Sequence, residues 1–161
     1  MQVELRMATP NDVEKLMRVH HSAIRADAVK VYPQQVIDDW AGPITSDKVE
    51  AYRQRIASGE EITVVAKQAG EIVGFGAIVE QNSELRAVYV SPSAGRSGIG
   101  GIILLRLEQI AKQREMKELN LSSSLNAEAF YKAKGYSSLG RDEHTLRSGL
   151  KMACVKMRKT L

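Results

Sequence analysis

Apolar residues in the first third of the chain recur at the spacing of an α-helix. Val13, Leu16, Met17 and Ile24, together with the partly polar His20, fall on one helical stripe. A Pro-Asn-Asp sequence lies immediately before them and is typical of a helix start. The pattern therefore predicts an amphipathic helix that begins close to residue 13.

Two shorter helices are predicted after this one. Pro33 suits the first turn of a helix that includes Trp40. Thr45 or Ser46 can accept a hydrogen bond from the first turn of a third helix, which runs to Ile56.

Beyond residue 60 the apolar residues alternate with polar ones, as they do in β-strands. Strands are predicted at residues 62–67, 71–79 and 85–90, and an edge strand is predicted at residues 3–7. A helix at 99–113 follows, with Ile103, Leu107 and Ile110 on one face.

The last third adds a strand around Leu119 and Leu121, a short helix capped by Asn126 and ending at Gly135, and two strands joined by Ser148-Gly149. Strands that follow one another directly are thus mixed with helices. This order predicts an α+β fold with a mixed, mostly antiparallel sheet flanked by helices, in one domain of residues 1–161.

Composition narrows the class of protein. The chain has 161 residues, of which 43% are hydrophobic and 26% charged, as in ordinary globular domains. We expect no membrane association and a cytoplasmic location, because no signal peptide and no apolar stretch of about 20 residues is present.

Cys154 is the single cysteine and lies in an apolar run, which favours a core thiol. Net charge is +4 without alternating basic and aromatic residues, so we expect no nucleic-acid partner.

A glycine-rich loop at residues 92–101 carries the first sign of chemistry. It follows a strand and opens the predicted helix at 99–113. Glycines let backbone N–H groups approach a ligand, and the helix N-terminus adds a positive dipole end. A pyrophosphate fits such a cradle. No lysine follows a glycine as a P-loop requires, and the third glycine of a dinucleotide fingerprint is replaced by Ile103.

A second motif follows about 30 residues later. Asn126 is followed by Phe130-Tyr131 and then by Gly135-Tyr136. Because Tyr131 is rotated about 100° from Phe130 on a helix, Phe130 is expected in the core and Tyr131 in a cleft. The competing interpretation is that the two aromatic residues only pack and that Asn126 is only a cap.

The two motifs together resemble those of the GNAT superfamily of N-acetyltransferases. Its acetyl-CoA loop has the pattern Gln/Arg-x-x-Gly-x-Gly/Ala, matched here by Gly98 and Gly100. Gly95 stands at the first position instead, and Arg96 is one place late. Its second hallmark, Asn-x-x-x-Phe-Tyr-x-x-x-Gly-Phe/Tyr, matches residues 126–136.

The resemblance implies acetyl-CoA as cosubstrate, no metal, and roles for named residues. Tyr131 would protonate the leaving thiolate, and Asn126 would contact the pantetheine or pyrophosphate. The strand at 85–90 would separate from its neighbour and pair with pantetheine. The cofactor-binding residues are then Val88, Tyr89, Val90, Gly95, Arg96, Ser97, Gly98, Ile99, Gly100, Gly101, Asn126 and Tyr131.

The general base and the acceptor are less well defined. Glu84 is the first candidate for the base, at the start of the strand where several family members carry one, and Glu80 is the second. His20 belongs to the apolar stripe, and His144 is predicted on the surface of the last hairpin. The acceptor would be a small-molecule or peptide amine. A pocket formed by Tyr32, Trp40, Asp27, Asp38 and Asp39 would favour a cationic amine, unless these residues only pack or face solvent.

Several alternatives stay open on sequence alone. The chain would be an acetyltransferase acting by direct attack in a ternary complex, or a non-catalytic acetyl-CoA sensor of the same fold. A basic nucleic-acid-binding domain is a further alternative. Acyl groups other than acetyl are possible. Exposed strand edges make a homodimer possible.

Overall fold

A seven-stranded sheet forms the centre of the protein. The computed structural model describes residues 2–161, and the strand order is β1-β2-β3-β4-β5-β7-β6. Neighbouring strands are antiparallel except for the parallel pair of β4 and β5. The strands are β1 Val3–Met7, β2 Ile62–Gln68, β3 Glu71–Val79, β4 Glu84–Val90, β5 Glu118–Ser124, β6 Ser137–Thr145 and β7 Lys151–Thr160. The predicted α+β fold is confirmed.

Five α-helices cover the sheet. They are α1 Val13–Asp27, α2 Gln34–Trp40, α3 Ser46–Ala57, α4 Ile99–Gln113 and α5 Glu128–Ala133. Thr45 caps α3, because its side chain accepts a hydrogen bond of 3.4 Å from the backbone N–H of Lys48. Within residues 2–161, no helix has both the length and the apolar character needed to cross a membrane.

Alternating strand residues divide the core between the two faces of the sheet. Val64 of β2 packs with Ile103 and Leu107 of α4, whereas the neighbouring Val65 packs with Leu16 of α1. This is the period of two that a strand imposes on its side chains. Helix α4 therefore covers one face, and α1 and α3 cover the other.

Helix α4 approaches the sheet closely because β3 carries two glycines. A Cβ atom at Gly76 would lie 2.7 Å from side-chain atoms of both Ile103 and Leu107. At Gly74 it would lie 3.0 Å from Ile103. Since real Cβ atoms do not come so close, any larger residue at position 76 would push α4 away from the sheet.

The short helix after β5 differs from the prediction at its start. Asn126 is not the N-cap; it lies inside a 3-10 turn of residues 125–127, and α5 begins at Glu128 with Ala127 as its cap. The turn occupies the residues that a longer helix would have used for its first turn. Gly135 has φ +95° after the helix, as predicted for a helix stop.

The sheet opens at its centre, between β4 and β5. These strands pair only at Glu84 and Asn120, and the structure of residues 2–161 records no further pairing between them. On its other side β4 stays paired with β3 as far as Val90. Likewise β5 pairs with β7 along its whole length. The two central strands therefore diverge toward the glycine loop and α5, as the resemblance implied.

Candidate active site

A cleft of about 1260 Å³ occupies the opening between β4 and β5. One end is bordered by the glycine loop, the start of α4 and α5. The other end is bordered by α1, by Trp40 of α2 and by α3. The cleft thus connects the motif residues of the second half with the helices of the first half.

Most of the residues predicted to bind the cofactor line this cleft. They are Val88, Tyr89, Val90, Gly95, Arg96, Gly98, Ile99, Gly100, Gly101, Asn126 and Tyr131, and the predicted base Glu84 lines it as well. Ser97 is not among the lining residues; its hydroxyl donates a hydrogen bond to the carbonyl of Ala94 and closes the turn of the loop.

The loop turns sharply into the N-terminus of α4. Arg96 has φ +62°, and Gly98, the N-cap of α4, has φ +82°. Glycine adopts such angles without steric cost. The first backbone N–H groups of any helix lack intrahelical partners, and here they belong to residues that border the cleft. The arrangement offers unpaired donors and a positive dipole end to an anion.

Helices α4 and α5 approach each other beside this loop. A Cβ atom at Gly100 would lie 3.5 Å from the ring of Phe130, and one at Gly101 would lie 2.9 Å from Nζ of Lys134. Lys134, which borders the cleft, was not predicted as a site residue. Its position four residues after Phe130, on the same face of the helix, is the signal that could have identified it.

Tyr131 is deeply buried in the cleft wall. Its ring is 7% exposed and contacts Phe130 and Tyr136 edge-on, with centroid distances of 5.1 and 5.7 Å. Both residues border the cleft, as predicted for Tyr131, but Tyr131 rather than Phe130 is the more deeply buried of the pair. Helix α5 lies at the edge of the cleft, so neighbouring residues of one turn can contact both the core and the cleft.

The hydroxyl of Tyr131 is chemically unusual. Within residues 2–161 it forms no hydrogen bond with another protein group. Burial raises the pKa of this phenol well above its ordinary value, and the nearby Tyr89 raises it further. The phenol therefore carries its proton at neutral pH. Its oxygen is not enclosed by protein atoms and faces the cleft, so it is free to form a hydrogen bond with a partner that enters there.

Glu84 belongs to a charged cluster on the cleft wall. Its Oε1 accepts a 2.9 Å hydrogen bond from Nη2 of Arg86, whose Nη1 donates a 2.7 Å bond to the buried Glu61. The sequence did not single out Glu61 or Arg86. Glu80, the second candidate base, pairs with Arg114 at 3.4 Å and does not border the cleft. The turn after β3 directs its side chain toward α4.

His20 lies at the other end of the cleft, between two aromatic rings. Its ring centroid is 4.7 Å from that of Tyr89 and 6.4 Å from that of Trp40. Burial lowers the pKa of His20 to about 4, and the charges of His21 and Lys48 lower it further. His20 is therefore a neutral ring at pH 7. His144 is exposed in β6, as predicted, and borders the same end of the cleft.

The acidic acceptor pocket predicted from the sequence does not form. Asp38 pairs with Arg25 at 3.3 Å, and Asp39 accepts a short hydrogen bond from the hydroxyl of Ser148. Tyr32 has a structural role, since its hydroxyl accepts a 2.9 Å bond from the N–H of Leu125. Of the five residues, only Trp40 and Asp27 border the cleft. Asp38 pairs with Arg25 away from the cleft, whereas Asp39 borders a smaller space beside it.

Cys154 borders the cleft but is buried, as predicted. Burial raises the pKa of its thiol, so the reactive thiolate is disfavoured at neutral pH.

Comparison with known proteins identifies the family. Residues 28–161 match the family described as "Acetyltransferase (GNAT) domain". The fold is similar to that of a GCN5-related N-acetyltransferase from Rhodopseudomonas palustris, with TM-score 0.90 and 23% identity, covering 100% of this chain and 97% of that chain. No curated protein matches the chain.

Two further similar structures contain ligands. PaiA N-acetyltransferase from Thermoplasma acidophilum, solved in complex with coenzyme A, gives TM-score 0.77 and 22% identity, with 100% of both chains covered. A phosphinothricin acetyltransferase from Sinorhizobium meliloti, solved with acetyl-CoA, gives 0.74 and 18%, covering 100% of this chain and 89% of that chain. The resemblance found in the sequence is confirmed. Because the family match spans most of the chain, the chain belongs to the GNAT acetyltransferase family.

Proposed function

We propose that this protein transfers the acetyl group of acetyl-CoA to a primary amine by direct attack in a ternary complex. One observation carries the proposal. The buried, protonated phenol of Tyr131 has no protein partner and lies in the cleft where β4 and β5 separate. A thioester sulfur entering between these strands would supply the missing partner.

The residues around the cleft suit the parts of acetyl-CoA. The unpaired N–H groups at the start of α4, with Arg96 and Lys134 nearby, would bind the pyrophosphate. The free edge of β4 at residues 88–90 would pair with pantetheine as a neighbouring strand does. Asn126 would contact the cosubstrate from the turn before α5. The ligands of the two similar structures, coenzyme A and acetyl-CoA, support this assignment.

The reaction needs a route for each proton. A neutral amine attacks the thioester carbonyl, which forms the C–N bond and an oxyanion, and the C–S bond then breaks. A backbone N–H of β4 would stabilise the oxyanion. Strand β4 has a bulge beside Leu85 and Ala87, a distortion that can aim such groups at a ligand. The thiolate takes a proton from Tyr131, and the resulting phenolate, which burial disfavours, regains a proton from solvent when coenzyme A leaves the cleft.

Glu84 would receive the proton that the amine loses. Its Oε1 is held by Arg86, while its other oxygen makes no hydrogen bond with residues 2–161 and is left for the amine or a bridging water. His20 is less suited to this role, because its ring is packed edge-on between Tyr89 and Trp40. Glu84→Gln should therefore lower kcat in the neutral range more than His20→Gln does.

The direct test is release of free coenzyme A from acetyl-CoA, measured with and without a panel of primary amines. We expect release that depends on the amine, together with an N-acetylated product seen by mass spectrometry. Calorimetric binding of acetyl-CoA without amine-dependent release would replace this proposal with a binding function. Absence of both binding and release would overturn it entirely.

A further inference from the structure

A side chamber of about 430 Å³ opens from the acceptor end of the cleft. The two spaces share six lining residues: Met17, His20, Trp40, Tyr52, Arg55 and His144. The chamber lies between α1, α3, the segment after α2, and the turn of the last hairpin. Its volume is that of a small-molecule site. An acceptor whose amine reaches the cleft would place the rest of its structure here.

The charges on the chamber wall are mainly positive. Lys48, Arg55 and Arg147 line it, and Asp39 is the acidic residue among its lining groups. Asp39 accepts a hydrogen bond from the hydroxyl of Ser148 and keeps its charge, so the three cations outnumber it. The histidines of the wall add no negative charge. The field in the chamber therefore favours an anion, which is the opposite of the cationic acceptor expected from the sequence.

Two of these cations, Lys48 and Arg147, keep donors available. Arg55 instead stacks over the ring of Tyr52 at 5.0 Å and forms an ion pair with Glu61 at 3.4 Å, so much of its charge is already matched. The side chain of Arg147 makes no hydrogen bond or ion pair with residues 2–161. Lys48 donates one 2.8 Å bond to the carbonyl of Pro43, so two of its three N–H groups are free.

We propose that the acceptor is a small amine that also carries an anionic group, a carboxylate or a phosphate, bound in the side chamber by Lys48 and Arg147. The proposal rests on the acetyltransferase function above and names the substrate class of that site. The ring of Trp40 and the thioether of Met17 line the passage and would contact the apolar carbon atoms between the two groups. The anion would stay at the basic wall while the amine, once neutral, reaches the thioester.

The test compares acceptors that differ only in charge. Each α- or ω-amino acid is paired with its carboxamide, and phosphoethanolamine is paired with ethanolamine. Polyamines provide the cationic class. We expect kcat/KM to be at least about tenfold higher for the anionic member of the preferred pair, the effect of one hydrogen bond to a charged group. The two sets of pairs separate carboxylate from phosphate.

Variants locate the effect in the chamber. Arg147→Gln and Lys48→Gln should each lower the acid-to-amide ratio of kcat/KM about tenfold, mainly through KM. Lys112→Gln, an equal charge change on the exposed part of α4, should leave the ratio unchanged. Arg147 is the safer variant, because its side chain makes no recorded polar contact that folding would need.

The outcomes separate this proposal from the function on which it rests. Turnover of amines with equal or higher kcat/KM for the carboxamides, ethanolamine or polyamines would overturn the anionic acceptor and leave the acetyltransferase intact. An acid-to-amide ratio unaffected by both chamber variants would also overturn it. Failure of every amine to release coenzyme A would instead overturn the acetyltransferase function.

Discussion

The phenol of Tyr136 donates a 2.8 Å hydrogen bond to Oε2 of Glu108, a carboxylate buried in α4. Nζ of Lys159 lies 3.1 Å from the same carboxylate and also donates to the carbonyl of Lys134. The ring of Tyr136 packs edge-on against Tyr131. This network joins α4, β7 and the end of α5, and it holds the ring against which Tyr131 packs.

Tyr136→Phe should therefore weaken the fold without removing the site. The variant keeps the ring but leaves Glu108 with Lys159 as its remaining partner, so the free energy of unfolding should fall by about 1–2 kcal/mol. Urea denaturation measures the loss, and kcat should change little because the contact with Tyr131 is preserved. A large loss of kcat with unchanged stability would contradict this structural role.

Tyr131→Phe should have the opposite profile. If the phenol protonates the leaving thiolate, kcat should fall about a hundredfold or more, the usual contribution of a positioned acid. Affinity for acetyl-CoA, measured by calorimetry, should change much less. Stability should hold or rise slightly, because the lost hydroxyl has no protein partner. Tyr136→Phe is the matched control, since it removes the same atom one ring away from the cleft.

Equal losses of affinity and kcat in Tyr131→Phe would place the phenol in cosubstrate binding rather than proton transfer.

Substitutions at Gly100 should affect cosubstrate binding in order of size. A Cβ atom there would make ordinary contacts at 3.5 Å with Phe130, so the fold accepts alanine. The methyl groups of valine would enter the space at the first turn of α4 in which we propose that the pyrophosphate binds. Gly100→Val should weaken acetyl-CoA binding by about 1.5–3 kcal/mol, the value of a lost hydrogen bond to a charged group. Unchanged affinity in calorimetry, with Gly100→Ala as the smaller step, would exclude the loop from the binding site.

His20 should make the protein sensitive to mild acid. Its pKa is 6.5 in the unfolded chain and about 4 in the fold, so below pH 6.5 the unfolded state binds a proton that the folded state does not. Neutral His20 therefore contributes to the free energy of unfolding fully above pH 6.5. As the pH falls from 6.5 toward 4, this free energy decreases by about 3 kcal/mol. Urea denaturation at several pH values between 7.5 and 4 measures it.

His20→Phe should remove much of this slope, because its ring takes no proton. His144→Gln, at an exposed position in β6, should keep the slope of the wild type. The same slope in His20→Phe would show that another group is responsible.

Local sequence was sufficient for most of the secondary structure. The bounds of α4 and β3 agree with those predicted, because the spacing of apolar residues and the turn residues at their ends are properties of neighbouring positions. The start of α5 was missed. Asn126 is a good cap by residue type, but residues 125–127 form a 3-10 turn instead. The hydrogen bonds of a 3-10 turn span three residues and those of an α-helix span four, so the two geometries are close to each other.

The sequence by itself determined the fold class and the two motifs, since each motif lies within one continuous segment, 92–101 or 126–136, and most of the residues predicted from them line the cleft. Only the tertiary structure decided which long-range charges meet. Glu61 and Arg86 are 25 residues apart in the chain, and Lys48 and Arg147 are about a hundred apart, yet each pair borders one space. Charged side chains give no periodic signal of their partners. The excess of positive charge on the wall of the side chamber could therefore be recognised only in the folded structure.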